Sequence, residues 1–212
     1  MCDKNITIDE NSNFSSWENR STTRDEREII KFLIRNIQII NNKKILHVGI
    51  GNSSLGNNIT KYSKFIDGIT ISINEVKLSN KYNCYKNIHI CNKYNLNDLS
   101  PKIGNKYDII IDQGIKQYTC CNQHFIDLFC FYMKNLEDGG ILITSKYGMA
   151  WSGYDIYNSI KLKDNENTGV ISHGGHTNPD KTNVLSEKEL DDIVNKYGFR
   201  KDVYNSVVII YK

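Results

Sequence analysis

The stretch Lys44-Ile45-Leu46-His47-Val48-Gly49-Ile50-Gly51-Asn52-Ser53-Ser54-Leu55-Gly56 decides the fold of this chain. A short apolar run, Ile45 to Val48, breaks into Gly49-Ile50-Gly51 and then into a segment able to open a helix. That order predicts a strand, a tight glycine turn and a helix start. Glycine suits the turn because the backbone must bend sharply and let a ligand approach without a Cβ in the way. The helix start is expected to offer unpaired N–H groups to a polar or anionic ligand.

Outward from this stretch, strands alternate with helices. Upstream, Thr23-Arg24-Asp25-Glu26 is a capping-box pattern before Ile29, Ile30, Leu33, Ile34 and Ile37, which are spaced for one helix face. Downstream, the expected elements are a helix over Leu55 to about Ser63, a strand over Ile66–Ser72, a helix from Glu75 to about Tyr82 and a strand over Asn87–Cys91. Tyr107–Asp112 is almost continuously apolar, as suits a strand buried on both faces. Phe125, Leu128, Phe129, Tyr132, Met133 and Leu136 mark a helix expected to end near Gly139-Gly140, before a strand over Ile141–Ser145. Ser186-Glu187-Lys188-Glu189 is a second capping box, with Leu185 and Leu190 as a staple and Gly198 as the stop. Phe199–Tyr204 and Val207–Tyr211 are separated only by Asn205-Ser206, which predicts a tight antiparallel hairpin.

The reading is therefore α/β: a doubly wound, mostly parallel seven-stranded sheet with helices on both faces and a C-terminal antiparallel hairpin. Ligands of such sheets bind beyond the carboxyl ends of the strands, at the switch point, where the glycine turn lies. No internal repeat and no linker divides residues 1–212, so one domain is expected. Residues 1–26 form an N-terminal cap segment, and 148–183 form a long polar insertion expected to serve as a lid.

Composition narrows the function classes. The chain is 39% hydrophobic and 24% charged, ordinary for a globular protein. Its 27 basic and 24 acidic residues leave a net charge of +3, spread along the chain, so a nucleic-acid partner is not expected. No apolar run approaches the ~20 residues of a membrane span. Met1-Cys2-Asp3-Lys4-Asn5 lacks the basic start and apolar stretch of a secretory signal, so the expected location is cytoplasmic. The six cysteines include no Cys-x-x-Cys pair. They are expected to be reduced and structural, and no metal site is expected. Adjacent Cys120-Cys121 lacks further ligands at zinc spacing.

In order and spacing, these motifs add up to a family. From about residue 27 to 212 the chain resembles the class I S-adenosylmethionine (SAM) dependent methyltransferases. Gly49-Ile50-Gly51-Asn52-Ser53-Ser54-Leu55 is similar to their first motif, in the form seen in a branch that includes protein lysine methyltransferases. Tyr107-Asp108-Ile109-Ile110-Ile111-Asp112-Gln113-Gly114 is similar to that branch's aromatic-Asp-apolar-Asp-Lys-Gly motif, with Gln113 where the branch has lysine. Leu136-Glu137-Asp138-Gly139-Gly140-Ile141-Leu142-Ile143 resembles the family's turn into the fifth strand. The closing Leu-Ser-x-x-Glu-Leu…Tyr-Gly-Phe segment is also similar, and Trp17-Glu18-Asn19-Arg20 resembles an N-terminal element that helps cover the cofactor.

The resemblance implies SAM, with S-adenosyl-L-homocysteine (SAH) as its demethylated product. It implies cofactor contacts from Trp17, His47, Gly49, Gly51, Asn52, Ser53, Thr70, Ile71, Glu75, Asn95, Leu96 and Asp112. The family usually has acids at the points taken here by His47, Thr70 and Asn95. Threonine and asparagine still accept hydrogen bonds, weaker by about a factor of two than those of carboxylates. Glu75 is placed to reach the ribose instead. With the glycine turn intact, a working SAM site is the reading taken.

Asp112, at the end of the fourth strand, is read either as a turn or N-cap residue or as a group that orients the acceptor or takes its proton. His173 and His176, in Ser172-His173-Gly174-Gly175-His176, are read either as solvated loop residues or as general bases. Tyr118, Tyr147, Trp151 and Tyr154 either wall a pocket or belong to the core. The implied activity is transfer of a methyl group from SAM to nitrogen or oxygen of a small molecule, because the chain is short, with one insertion and no basic stripe. The alternatives are a protein lysine acceptor, or a non-methylating or otherwise SAM-using protein with an altered site.

Overall fold

Seven strands form one sheet in the order β3-β2-β1-β4-β5-β7-β6. They are β1 (Lys44–Val48), β2 (Phe65–Thr70), β3 (Asn87–Ile90), β4 (Tyr107–Asp112), β5 (Leu136–Ser145), β6 (Arg200–Tyr204) and β7 (Val207–Tyr211). The computed structural model describes residues 19–104, 106–115, 122–146, 148–149 and 186–212. Trp17, Tyr118, Cys120, Cys121, Tyr147, Trp151, Tyr154, His173, His176 and Leu185 lie outside the described residues, as does most of the 148–183 insertion.

β1, β2, β3, β4 and β5 pair in parallel. β7 runs antiparallel between β5 and β6, closing the sheet with the hairpin expected from Asn205-Ser206. The strand order reverses between β1 and β4, which makes their carboxyl ends the switch point.

Alternation along the strands sorts the core into two faces. Ile45, Ile109, Ile111, Ile141, Ile143, Val207 and Ile209 point to one face. There they meet Ile29 and Leu33 of α1 (Arg24–Arg35), Ile40 of α2 (Ile37–Ile40), and Leu55 and Ile59 of α3 (Ser54–Ile59). Leu46, Ile110, Leu142 and Ile210 point to the other. That face is covered by Leu99 of α5 (Leu96–Leu99), by Phe125, Leu128, Phe129 and Tyr132 of α6 (Asn122–Asn135), and by Leu190 and Val194 of α7 (Glu187–Lys196). The remaining helix, α4 (Ile73–Tyr82), joins β2 to β3.

Several boundaries differ from the sequence reading: α3 ends at Ile59, α4 begins at Ile73, β3 ends at Ile90 and β6 begins at Arg200, and two further differences have a clear local cause. β2 stops at Thr70 because Ser72 caps α4, its side chain accepting from Glu75 N. α6 ends at Asn135, and β5 begins at Leu136 rather than at Ile141. Leu136 pairs with Tyr107, and the register then jumps so that Ile141 pairs with Ile109. Gly139, at φ +76°, belongs to this irregularity and not to a helix stop. A Cβ on Gly140 would lie 3.0 Å from Asp108 O, so the bulge needs a bare backbone.

Candidate functional site

The glycine turn hangs from the end of β2. Gly49 N and Ile50 N both donate to Ile69 O, at 2.8 and 3.2 Å. Gly49 and Gly51 adopt φ values of +79° and +51°, and a Cβ built on Gly49 would meet nothing within 4 Å. The turn is therefore left-handed and faces open space, as a backbone that receives a ligand must. Ser53 also has a positive φ, +61°, and is fully buried as the N-cap residue of α3. Such strain in a non-glycine residue marks a turn whose shape is imposed by its surroundings.

The first N–H groups of α3 are not open to a ligand, contrary to the sequence reading. Ser54 N donates to Asn52 Oδ1 at 3.0 Å, and Leu55 N donates to Glu26 Oε1 at 3.2 Å. Asn52 Nδ2 reaches the other way, to Arg20 O at 2.9 Å and Thr22 Oγ1 at 3.3 Å. Asn52 thus caps α3 and ties the segment before α1 to the turn.

His47 pairs in register with Gly68 and alternates with Leu46 and Val48, so its ring points to the face that carries α3. Its Nδ1 shares a 2.7 Å hydrogen bond with the Tyr85 hydroxyl. Glycines make room for that tyrosine. A Cβ would lie 2.6 Å from Tyr85 at Gly56 and 3.1 Å from it at Gly68. Burial pushes the His47 imidazole down to about 3, so it is neutral. Its place at the end of β1 therefore carries no charge.

At the end of β2, Thr70 Oγ1 donates to Glu75 Oε2 at 2.5 Å and accepts from Ser72 N at 3.0 Å. Both Thr70 and Glu75 are buried. The carboxylate missing from the strand end is thus brought back to it from the first turn of α4. Next to it, Ile71 and Ile73 are 37% and 40% exposed, an apolar surface beside an acid. Asn95 caps α5, its Oδ1 accepting from Asn97 N at 3.1 Å, and Leu96 packs on the core. Asn92, not Asn95, is the buried asparagine after β3; its Oδ1 accepts from Tyr94 N at 3.0 Å.

Asp112 is fully buried and both its oxygens are engaged. Oδ1 accepts from Lys93 Nζ at 2.6 Å and Gly114 N at 3.1 Å, and Oδ2 accepts from Tyr132 OH at 2.9 Å. Gln113 is a junction. Its Nε2 donates to Thr23 Oγ1 at 2.9 Å, while its carbonyl accepts from Thr144 and Ser145 hydroxyls at 3.3 and 3.2 Å. Sequence reasoning missed Tyr85 and Lys93, and read Glu26 only as a capping-box acid. Gly56 and Gly68 are the only trace Tyr85 leaves in the sequence, as bare positions around a large ring.

The structure therefore joins the end of β1, the end of β2 and the loop after β4 around one open turn. No protein-family model matches the sequence, and no curated protein matches it in sequence. Solved structures do match in fold. The chain is similar to N-methyltransferase NodS from Bradyrhizobium japonicum WM9 in complex with SAH, at 11% identity and a TM-score of 0.57, over 90% of this chain and 88% of that one. It is similar to magnesium protoporphyrin IX methyltransferase (ChlM) from Synechocystis PCC 6803 with bound SAH, at 13% identity and a TM-score of 0.56, over 88% and 81%. A putative caffeoyl-CoA O-methyltransferase from Staphylococcus aureus shares 17% identity and a TM-score of 0.56, over 91% and 85%. The fold is that of the class I SAM-dependent methyltransferases. Among the described residues, no helix is long and apolar enough to cross a membrane, and no group of three or more His, Cys, Asp or Glu is placed to hold a metal ion.

Proposed function

We propose that the chain is a SAM-dependent methyltransferase that binds SAM across Gly49–Gly51 and methylates nitrogen or oxygen of a small molecule. The observation that carries the reading is the Thr70–Glu75 pair at the end of β2, 2.5 Å apart, beside the open turn. It supplies a buried hydroxyl and carboxylate suited to a vicinal diol, with Ile71 and Ile73 as an apolar wall for a flat ring. SAM, when bound, supplies a methyl group on a positively charged sulfur. In this reading the chain contributes mainly position and exclusion of water. Thr70 and Glu75 hold the ribose, Ile71 contacts the adenine, and the backbone at Gly49 and Gly51 admits the amino-acid end. Asp112 anchors the loop after β4 through Lys93, Gly114 and Tyr132. The acceptor's proton is assigned to His173 or His176. The mild net charge of +3 favours a small molecule over nucleic acid as acceptor.

Isothermal titration with SAH tests the reading. Saturable binding is expected for the wild type, with loss in Gly51→Val. A β-branched residue at φ +51° is strained and fills the approach. Absence of both heat and thermal shift at millimolar SAH would end the assignment.

A further inference from the structure

The lysines look scattered in the sequence, but the fold gathers many of them at one end of the sheet. β1, β2, β3 and β4 begin at Lys44, Phe65, Asn87 and Tyr107. The residue immediately before each is a lysine: Lys43, Lys64, Lys86 and Lys106. These strands are neighbours in the order β3-β2-β1-β4. Lys44 pairs with Phe65, so Lys43 stands opposite Lys64, and Lys64 N donates to Lys43 O at 2.9 Å. Lys86 N donates to Ile66 O at 2.7 Å, and the pairing of Ile45 with Ile109 sets Lys106 one position beyond Lys43. Strands lie about 4.8 Å apart, so the four lysines form a row roughly 15 Å long.

The connections into these strands, residues 41–44, 60–65, 81–87 and 100–108, hold eight lysines and a single acid, Asp108. That is a surplus of seven positive charges in a chain whose net charge is +3, so the rest of the chain carries −4. Asp108 is already taken, by Lys44 N at 2.8 Å and by Lys43 Nζ at 3.4 Å. Lys44 Nζ pairs with Glu137. The other six lysines are exposed, and none of them forms an ion pair among the described residues. Like charges on adjacent strands destabilise a sheet. The row also lies at the far end of the strands from Gly49–Gly51, so neither the core nor the SAM reading uses it.

The chemistry of the patch points to its partner. All its cations are lysines, point charges that neutralise phosphates without the bidentate fork by which arginine reads a base. Two of them stand over rings: Lys61 Nζ is 4.9 Å from the Tyr62 centroid, and Lys86 Nζ is 4.6 Å from that of Phe65. Tyr82, at the end of α4 beside Lys81, is 48% exposed. A bare ring among cations is a stacking platform for an unpaired base. Among the described residues of these connections no exposed large aliphatic side chain accompanies it, as insertion into a lipid surface requires.

We infer that the amino-terminal end of the sheet is a second binding surface, which takes the phosphate backbone of single-stranded nucleic acid without reading its sequence. The strand bound there lies away from the cofactor site and is not the methyl acceptor, so the inference is independent of the SAM reading.

Fluorescence anisotropy of a labelled oligouridine of about 20 nucleotides with the full chain tests it. Neutralising about four to six phosphates gives a slope of log affinity against log salt of roughly −3 to −4. Affinity is then expected to fall about 60- to 250-fold between about 50 and 200 mM salt. A slope shallower than about −1.5 overturns the proposal. Joint replacement Lys64→Gln, Lys86→Gln and Lys106→Gln is expected to flatten the slope by about 2 and to leave the melting point no lower, since repulsion is relieved. A control triple, Lys134→Gln, Lys188→Gln and Lys196→Gln, removes three exposed lysines elsewhere and is expected to keep the wild-type slope. Equal losses in the two triples make binding a property of net charge and overturn the proposal. Should the first triple not fold, Lys64→Gln alone is expected to flatten the slope by about 0.7, and an unchanged slope counts against the row. Tyr82→Ala is expected to weaken oligouridine about fivefold or more and to leave duplex binding within about twofold; no preferential loss overturns the single-strand assignment. Vesicles of phosphatidylcholine and phosphatidylserine, or polyglutamate, that bind as tightly as oligouridine at the same salt overturn it in favour of a lipid or protein partner.

Discussion

At the scale of single residues, His47 links the site to proton binding. Its imidazole is held near 3 in the fold by burial, against 6.5 for the free side chain. Above 6.5 neither the folded nor the unfolded chain protonates it, and its contribution is constant. Between 6.5 and 3 the unfolded chain takes up a proton that the fold refuses, so stability falls as pH falls. The limiting slope is about 1.4 kcal/mol per pH unit. Denaturant unfolding of wild type and His47→Gln at pH 6 and pH 4 measures it. The variant has no titrating group there and keeps a polar partner for Tyr85, while shared carboxylates cancel in the comparison. The wild type is expected to lose about 2 to 3 kcal/mol more than the variant over that interval. Parallel profiles would mean that His47 protonates in the fold. None of this was legible in the sequence. A histidine at that place reads as a missing acid, and its partner lies 38 residues along the chain. Local patterns report neighbours within a turn or a hairpin, and Tyr85 is neither.

At the scale of elements, the segment Arg20–Glu26 is pinned on both sides of the turn. Asn52 and Leu55 N hold it beside α3, and Gln113 holds Thr23 beside β4. Thr23 Oγ1 serves twice, because it also accepts from Glu26 N at 3.2 Å as the cap of α1. The capping box was readable as Thr23-x-x-Glu26, but the 90-residue reach to Gln113 was not. Gln113→Ala is expected to free the strap without dissolving α1, whose cap bond remains. Amide exchange of residues 20–26 should speed up by roughly tenfold, the worth of one partly buried hydrogen bond. A double-mutant cycle with Thr23→Val should show the two changes to be non-additive. Unchanged exchange at residues 20–26 would show that Asn52 and Glu26 suffice to hold the strap. The same contrast between near and far explains α6 and β5. The sequence shows Gly139-Gly140, and local rules make it a helix stop; only the pairing of Leu136 with Tyr107 turns it into a bulge.

At the scale of the whole molecule, alternation made the sheet legible. Ile45, Ile109 and Ile141 fall on one face, and Leu46, Ile110 and Leu142 on the other, as period-two patterning requires. The hairpin was legible from the length of Asn205-Ser206, and Asn205 takes the positive φ of +55° that such a tight turn needs. What the pattern does not announce is how central the last strand is. β7 lies inside the sheet, between β5 and β6, and Val207, Val208, Ile209 and Ile210 are all at most 1% exposed. Ile209 belongs to the α1–α3 face and Ile210 to the α6–α7 face, so β7 closes both cores at once. Burial of one such aliphatic side chain is worth roughly 1.5–3 kcal/mol, so the run contributes on the order of 6–12 kcal/mol. That is comparable to the whole stability of an ordinary domain, about 5–15 kcal/mol. Truncation after Ser206 also strips β5 of its antiparallel partner and leaves β6 unpaired. The truncated chain is therefore expected to lose cooperative unfolding by calorimetry and dispersed amide signals by NMR. Ile209→Ala, which leaves the strand in place, is expected to cost about 2–5 kcal/mol and keep both signatures. A truncated chain that still melts cooperatively would show that β1 to β5 fold as a unit, and that the hairpin is an addition to the sheet.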